Sequence, residues 1–558
     1  MPTIPTYPGV YIEEIPSGVR TITGVATSIT AFVGRALRGP TDQPITINSY
    51  GDFERIFGGL WIESQLGFQV RNFFLNGGGQ AIIVRVFRAE AAPPPSPAAE
   101  SEEEEGGIPP ATPPAAPATA DANTGKATID SNGLMLVAAS PGAWGNYLRA
   151  RIDHDVTDAV ALRLGLADAS ELFNLTVRDT KTGVTEQFRN LSMKESPRRV
   201  DRVLENESDL VRVDPPPTDS TSVPEAHNET PTDSNQTIWE DEETSSPSEE
   251  DGTNGSAIET ADIEGSENAK TGMYALKDAD LFNILCIPPY YLDYAAENVS
   301  GLVDKAVKFC QDSRAFLLVD PPPAWTSKDD AKAGIATDIT TRSNYAALFF
   351  PGLMQANPLR DNQMEYVAPS GAIAGIFART DAQRGVWKAP AGLEARFVGV
   401  PQLSVPLTDA ENGELNPLGV NCLRTLPPAG RVVWGARTLE GDDRLASEWK
   451  YIPVRRLALF IEESLYRGTQ WAVFEPNDDP LWAQLRLNIG AFMQNLFRQG
   501  AFQGSSAREA YLVKCDSETT TQNDINLGIV NVIVGFAPLK PAEFVILKIQ
   551  QLAGQIDT

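Results

Sequence analysis

The strongest constraint on the fold is a repeated alternation of short, wholly apolar strands with helical segments. Residues 25–33 are a β-branched run, residues 66–75 have helical apolar spacing, and residues 81–87 are a second apolar run. Similar apolar runs return after a long interval, at 281–287, 315–320 and 345–350. Strands that are apolar on both faces and separated by helices are typical of a parallel sheet. We therefore expect 25–88 and 274–429 to share one α/β sheet.

Two low-complexity segments fall between these halves. Residues 89–126 hold nine prolines between Pro93 and Pro117, and residues 205–269 hold 19 Asp or Glu and one Arg. Such compositions bury too little apolar surface to offset the entropy of ordering. We predict a Pro/Ala-rich acidic linker at 89–126 and a disordered acidic linker at 205–273. Most of the net charge of −28 lies there, which argues against a folded acidic mimic of DNA.

The segment between the two predicted linkers, 127–204, recovers period-two alternation with turn residues between the runs. This pattern predicts a small all-β insertion domain. Two strong helical patterns follow the α/β part, within a predicted C-terminal domain at 430–525. The insertion and the helices bring the expected architecture to several domains, as the length of 558 residues requires.

Both ends of the chain have strand-like apolar runs, which is unusual because termini are generally polar and frayed. We assign residues 1–24 to an N-terminal strand arm and residues 526–558 to a C-terminal one. A terminal strand can pair with the open sheet edge of another molecule. The chain is therefore interpreted as an assembling subunit. The predicted arm residues are Val10, Tyr11, Ile12, Ile15, Val530, Val532, Val534, Phe544 and Ile546.

Catalytic and metal-binding patterns are weak. His154 lies in the β insertion, where a solvated strand end is the favoured interpretation, and His227 lies in a linker predicted to be too disordered for catalysis. Gly77–Gly79 follow a helix and precede a strand, which is the reverse of a phosphate-binding loop. The four cysteines are widely spaced, which favours buried free thiols over zinc or disulfides. We predict no catalytic, cofactor or metal residue.

The helical pattern at 481–502 carries Arg486 and Arg498 and no acidic residue. Its apolar stripe is typical of a core helix with arginines that extend to solvent. Its acid-free face equally suits docking on an acidic partner. Both interpretations stay open from the residues alone. No apolar run approaches the ~20 residues of a membrane span, and residues 1–6 lack signal-peptide character, so we expect cytoplasmic assembly without membrane insertion.

Several segments together resemble the contractile tail sheath proteins of phages and of phage-tail-like extracellular injection systems. These segments lie in order along 1–88 and 275–558, so the resemblance leaves out the predicted linkers and insertion. They are YPGVYIEE (7–14), LFNILCIPP (281–289), PSGAIAGIFARTDAQRGVWKAPAG (369–392), NCLR (421–424), WGARTL (434–439), WKYIPVRR (449–456) and GFAPLKPAEF (535–544).

The resemblance implies a subtilisin-like α/β middle domain without protease activity, and an α+β C-terminal domain completed by terminal strands exchanged between subunits. It implies hexameric rings stacked around an inner tube, which contract without nucleotide or cofactor to drive the tube through a target envelope. Implied partners are the tube, baseplate and terminal cap proteins and a disassembly AAA+ ATPase, but no nucleic acid. Arg486 and Arg498 become candidate tube contacts. The particle would be a phage tail or a released injection system.

Two other functions remain to be weighed. A static tube or shell subunit would share the assembling ends but would not contract. A subtilisin-type hydrolase would need a histidine base, which neither 25–88 nor 274–429 contains.

Overall fold

The computed structural model describes residues 20–90, 125–218, 221–290 and 299–549. The predicted arm residues Val10, Tyr11, Ile12 and Ile15 lie outside this part. In chain order the strands are β1 Thr30–Gly34, β2 Ile45–Ile47, β3 Ala81–Arg85, β4 Thr128–Ser131, β5 Leu134–Ala138, β6 Leu148–Asp153, β7 Phe173–Asp179, β8 Thr185–Leu191, β9 Val211–Val213, β10 Ser246–Pro247, β11 Ile284–Cys286, β12 Phe316–Val319, β13 Ala346–Phe350, β14 Leu353–Asn357, β15 Gln363–Val367, β16 Gln402–Leu403, β17 Val420–Leu426, β18 Gly430–Val433, β19 Tyr511–Lys514 and β20 Ile533–Phe536. The helices are α1 Tyr50–Phe57, α2 Leu66–Leu75, α3 Asp158–Arg163, α4 Val200–Glu207, α5 Thr260–Glu264, α6 Val299–Asp312, α7 Lys328–Thr337, α8 Ser370–Arg384, α9 Asp409–Leu415, α10 Ile452–Thr469, α11 Asp479–Arg498, α12 Ala507–Ala510 and α13 Gln522–Asn526.

An eight-stranded sheet forms the centre, in the order β18-β17-β13-β12-β11-β1-β3-β2. Strand β1 pairs in parallel with β3 on one side and β11 on the other, with Thr30 opposite both Ala81 and Ile284. The predicted single sheet from two distant stretches is therefore confirmed. The edge strands β2 and β18 run antiparallel, which the apolar patterns did not indicate.

The sheet is apolar on both faces because each face is covered by its own core. Phe32 points into one core, shared with α2 and α8, whereas Ala31 and Val33 point into the other, shared with α6. Helix α8 lies close against α2 because it has glycine at two facing positions. A Cβ on Gly371 would lie 2.3 Å from the carbonyl oxygen of Gln69, so only glycine permits this approach.

Residues 127–213 and the later strand β10 form two antiparallel sheets, β4-β5-β9 and β10-β6-β7-β8, around a separate apolar core. Arg85 at the end of β3 ties this unit to the central sheet. Its buried guanidinium donates to the carbonyl oxygens of Gly39 and Pro141, both at 2.7 Å. Burial lowers the pKa of Arg85 to about 9, because carbonyl dipoles replace water but no carboxylate balances the charge.

The acidic segment is ordered where the structure describes it, which differs from the disorder predicted for 205–273. It contributes α4, β9, β10 and α5. Two arginines of β6 supply the stabilisation that composition did not reveal. Arg149 donates to the carbonyl oxygen of Ser245 at 2.6 Å, and Arg151 donates to those of Asn228 and Thr244 at 2.7 and 2.8 Å. These charge-assisted bonds compensate for the few apolar side chains that the segment can bury.

His227 lies within this ordered segment, so its side chain has a fixed position, which differs from the disorder predicted for its linker. Its imidazole is buried, and its Nδ1 accepts a hydrogen bond of 3.0 Å from the backbone N–H of Ile152. Its Nε2 lies 3.0 Å from the hydroxyl of Ser246. Burial, with the charge of Arg151 nearby, lowers the pKa of His227. The residue is therefore a neutral structural histidine.

The C-terminal helices pack on the central unit through a buried ion pair. Arg456 of α10 donates to both carboxylate oxygens of Asp381 in α8, at 2.9 and 2.6 Å. Helix α11 begins at Asp479, two residues before the helical pattern predicted at 481–502, because the side chain of Asp478 caps it by accepting from the N–H of Leu481. Among the helices of the described residues, none has the length and apolar character needed to cross a bilayer.

Candidate functional site

The two-stranded sheet of the C-terminal domain presents an unpaired edge. Strands β19 and β20 form a two-stranded antiparallel sheet, with Tyr511 opposite Phe536 and Lys514 opposite Ile533. No third strand joins this sheet within the described part of the chain. Unpaired N–H and C=O groups at such an edge are a template for a strand from another molecule. Within the C-terminal strand arm predicted at 526–558, the regular strand extends only from Ile533 to Phe536.

The apolar residues of this run alternate between the subunit's own core and solvent. Val530, Val532 and Val534 pack against apolar residues of α10 and α11. Ile529 and Ile533 point outwards and are exposed. The three predicted arm valines thus face the interior of their own domain, and the backbone edge of β20 is the part available to a neighbour.

After β20 the chain crosses from the C-terminal domain to the central sheet. The N–H of Ala537 donates to the carbonyl oxygen of Ala510 at 2.8 Å, and the N–H of Gln503 donates to that of Ala537 at 2.9 Å. Six residues later, Glu543 reaches the guanidinium of Arg437, which follows β18. We name the contact between these two side chains the clasp.

The clasp is a bidentate pair with further donors. Nε and Nη2 of Arg437 each donate to one carboxylate oxygen of Glu543 at 2.7 Å. The amide of Asn416 donates at 2.9 Å and the hydroxyl of Tyr451 at 3.1 Å to the same carboxylate. Nη1 of Arg437 turns away to the carboxylate of Asp443 at 3.0 Å. A bidentate geometry of this kind specifies orientation as well as affinity.

Both side chains of the clasp remain charged although they are largely buried. The side chain of Arg437 is 0% exposed and that of Glu543 is 18% exposed. Burial acts to raise the pKa of Glu543, but the donors Arg437 and Asn416 outweigh it and hold that pKa below its usual value. Burial likewise acts to lower the pKa of Arg437, yet the carboxylates raise it overall. Sequence analysis missed this pair, because neither residue is unusual in its own segment and the two lie 106 residues apart.

Beyond the clasp the chain exposes a run of apolar side chains. From Phe544 at 72% to Ile549 at 94%, all the large apolar residues point into solvent. Phe544 and Ile546 were predicted to lie in a strand, but this stretch has no regular secondary structure in the single chain. The clasp therefore marks the boundary between a docked and an exposed part of the tail.

Helix α11 separates the two candidate tube-contact arginines. Its inner stripe is buried and includes Trp482, Ile489 and Met493. Arg486 is half-buried and donates to the carbonyl oxygen of Cys515 in its own domain. Arg498 is exposed at the C-terminal end of the helix. The core interpretation therefore fits Arg486, whereas Arg498 is exposed and its contact with a partner stays a prediction.

A buried polar cluster lies where a hydrolase site would be sought in an α/β fold, after β12 and at the start of α8. The hydroxyl of Ser370 is 2.7 Å from the Asp320 carboxylate and 2.5 Å from the amide oxygen of Gln69, whose Nε2 donates to Asp320 at 3.0 Å. Burial raises the pKa of Asp320 to about 6. Both histidines lie in the insertion, where His227 contacts Ser246 and His154 contacts Pro224. The cluster has a serine and an acid but no histidine base.

The cysteines form no disulfide and no metal site among the described residues. Cys286, Cys310, Cys422 and Cys515 are free and buried, which confirms the predicted buried thiols. Across the residues that the structure describes, no three His, Cys, Asp or Glu side chains are grouped to hold a metal ion.

Comparison with known proteins covers both halves of the fold. Residues 264–439 match the family described as phage tail sheath protein central domain, and residues 446–551 match the phage tail sheath C-terminal domain. Together these matches take in just over half of the chain.

Two curated relatives of this chain are also described as tail sheath proteins. A Pseudomonas aeruginosa protein described as a putative prophage major tail sheath protein is 26% identical over 282 residues, 49% of this chain and 67% of its own length. The tail sheath protein of Enterobacteria phage T4 is 26% identical over 198 residues, 35% of this chain and 28% of its own. The chain thus aligns with two thirds of the first relative and under a third of the second.

Solved structures of similar fold cover nearly the whole chain. The sheath complex of the extracellular contractile injection system PVC, in its contracted state, has a TM-score of 0.55 at 22% identity and covers 99% of both chains. The contracted helical sheath of the anti-feeding prophage has a TM-score of 0.54 at 22% identity, covering 98% of this chain and all of the other. With two consecutive family domains and a mixed α/β fold shared over its length, this chain belongs to the contractile tail sheath family and is a structural sheath subunit.

Proposed function

We propose that the chain polymerises as stacked hexameric rings around an inner tube, and that contraction of this sheath drives the tube through a target envelope. The observation that carries the proposal is the C-terminal tail. Its apolar residues 544–549 are exposed and follow directly after a buried clasp, close to the open edge of β20. A tail fixed at one end and apolar beyond it is suited to lie on a neighbouring subunit.

Strand exchange would join the subunits. Val10, Tyr11, Ile12 and Ile15 would add to the open edge of a neighbour's C-terminal sheet, and Phe544 and Ile546 would bury against the same neighbour. Each large apolar side chain taken out of water contributes about 1.5–3 kcal/mol. Ordering costs about 1–2 kcal/mol per residue, so an arm gains stability only when several contacts form together, as in a lattice.

The remaining partners follow from the same proposal. The outer face of α11, with Arg498, would contact the inner tube, while Arg486 would hold the helix in place. Baseplate and terminal cap proteins would lie at the two ends of the stack, and an AAA+ ATPase would disassemble it. Support for a baseplate partner comes from a solved baseplate of the anti-feeding prophage, whose chain has a TM-score of 0.53 with this one.

We assign the central domain to the subtilisin-like type without protease chemistry. Support comes from the parallel sheet, from Ser370 at the start of α8, and from the commitment of its hydroxyl to Asp320 and Gln69 rather than to a histidine. The particle would form in the bacterial cytoplasm and act as a phage tail or a released injection system.

Expression of the chain alone tests the assembly proposal. We expect hollow tubules of contracted type in negative-stain electron microscopy, and we expect deletion of residues 2–19 to abolish them while far-UV circular dichroism and thermal unfolding stay unchanged. The matched control deletes residues 100–117, an equally long piece of the Pro/Ala-rich linker, and should keep the tubules. Discrete monomers of the full chain at high concentration, or tubules from the 2–19 deletion, would contradict the proposal.

A further inference from the structure

A groove of about 820 Å³ separates the C-terminal tail from the central domain. Residues 539–544, which include Glu543 of the clasp, form part of its wall. Three aromatic residues also line it, Trp387, Trp434 and Tyr451. Trp434 is among the exposed large apolar residues of the chain, so its ring is available to a ligand.

The rim of the groove is positively charged. Arg384 is paired with Glu394, and Arg437 is neutralised inside the clasp. Lys388 and Lys540 also line the groove, and no ion pair to either is found among the described residues. Burial lowers the pKa of Lys388. An aromatic-lined groove suits an extended peptide that carries prolines.

The chain has such a segment at its N-terminal end. Prolines stand at positions 2, 5 and 8. A polyproline II helix has three residues per turn, so prolines at this spacing share one face. Such segments dock in aromatic-lined grooves at low entropic cost, because proline fixes the backbone in advance.

We propose that residues 2–8 of a second copy lie in this groove in polyproline II conformation. The inference rests on the proposed strand exchange, and it sets the direction of that exchange. The groove continues from the C-terminal end of β20, because its wall at 539–544 follows Phe536 by only a few residues. A neighbour's strand at 10–15 that pairs antiparallel with β20 places its residue 10 beside Phe536. Its prolines then extend towards the groove, whereas parallel pairing would direct them to the opposite end.

Cross-linking between two populations of the full-length chain tests this placement. One carries Thr6→Cys and the other, isotopically labelled, carries Lys540→Cys; all four native cysteines are buried. With a short bismaleimide, we expect a link between residues 6 and 540 of different copies, identified by mass spectrometry. Gln187→Cys, exposed on β8 in the insertion, replaces Lys540→Cys as the control and should give no link. Tubules without the 6–540 link would overturn the proposal and leave the sheath function standing.

A peptide experiment gives a result that does not depend on assembly. A fluorescein-labelled peptide of residues 1–9 should bind the full-length chain below the concentration at which tubules form. Replacement of its three prolines by alanine should weaken binding by about tenfold, and replacement of its two threonines by alanine should not. Equal binding of both proline and alanine peptides, or no binding of either, would refute the groove assignment. Binding without any tubules would instead count against the sheath function alone.

Discussion

The substitution Glu543→Gln isolates the clasp, because it removes the charge of the carboxylate and nearly keeps its shape. The carboxylate accepts four hydrogen bonds, two of them from an arginine that is 0% exposed. Removing one partner of a buried ion pair costs about 3–5 kcal/mol. Asp443, half exposed and 3.0 Å from Nη1 of Arg437, keeps part of the compensation, so we expect a loss of about 2–3 kcal/mol.

We expect this loss to reduce the free energy of tail docking and not the stability of the central fold. The tail can detach, after which Arg437 is solvated and still paired with Asp443. A loss of about 2–3 kcal/mol shifts the docking equilibrium by about 30- to 150-fold. The assay is fluorescence anisotropy of a probe attached at Ile546→Cys, followed through a urea titration. We expect the docking transition to move to lower urea while global unfolding by circular dichroism is unchanged.

The pH dependence of docking has a defined sign. Because the folded-state pKa of Glu543 is held below its usual value of 4.5, the clasp is fully formed above pH 4.5 and weakens as pH falls through that lower pKa. The Glu543→Gln variant should lack this dependence. Glu518→Gln is the matched control, since Glu518 is 77% exposed and pairs only with Lys514 among the described residues. A docking midpoint for Glu543→Gln equal to that of Glu518→Gln would refute the role of the clasp.

Two further predictions concern Asp320 and α11. Because burial raises the folded-state pKa of Asp320 from 3.8 to about 6, the folded state holds the proton more tightly, so stability should fall by about 3 kcal/mol as pH rises from about 4 to 6. Asp320→Asn should remove that slope in urea denaturation, and an unchanged slope would contradict it. Arg498→Glu should reduce co-sedimentation with assembled inner tube by about tenfold and leave thermal unfolding unchanged. Arg486→Glu should instead lower the unfolding temperature, because Arg486 holds the carbonyl of Cys515; equal tube binding by wild type and Arg498→Glu would exclude this helix face.

The predicted parallel sheet was accessible from sequence because each strand is apolar on both faces and each connection contains a helix. The antiparallel direction of the edge strands β2 and β18 could not be predicted from sequence. It depends on how the chain packs beside the outermost parallel strand. The order of the acidic segment was missed for a similar reason. Its carbonyls are held by Arg149 and Arg151, which lie more than 70 residues away in the chain, and composition does not record partners at that separation.

The α/β alternation, the strand-like ends and the family resemblance could be inferred from local periodicity and ordered motifs, because these report on elements of structure. The place where the tail leaves the subunit could not, because it depends on contacts between residues far apart in the chain. Arg437 and Glu543 are 106 residues apart, and neither residue is unusual in its own segment. Their pairing requires the C-terminal domain to pack against the central unit, and the ion pair of Arg456 with Asp381 is one buried contact of that packing. The same packing left the outer edge of β20 open and separated Arg486 from Arg498.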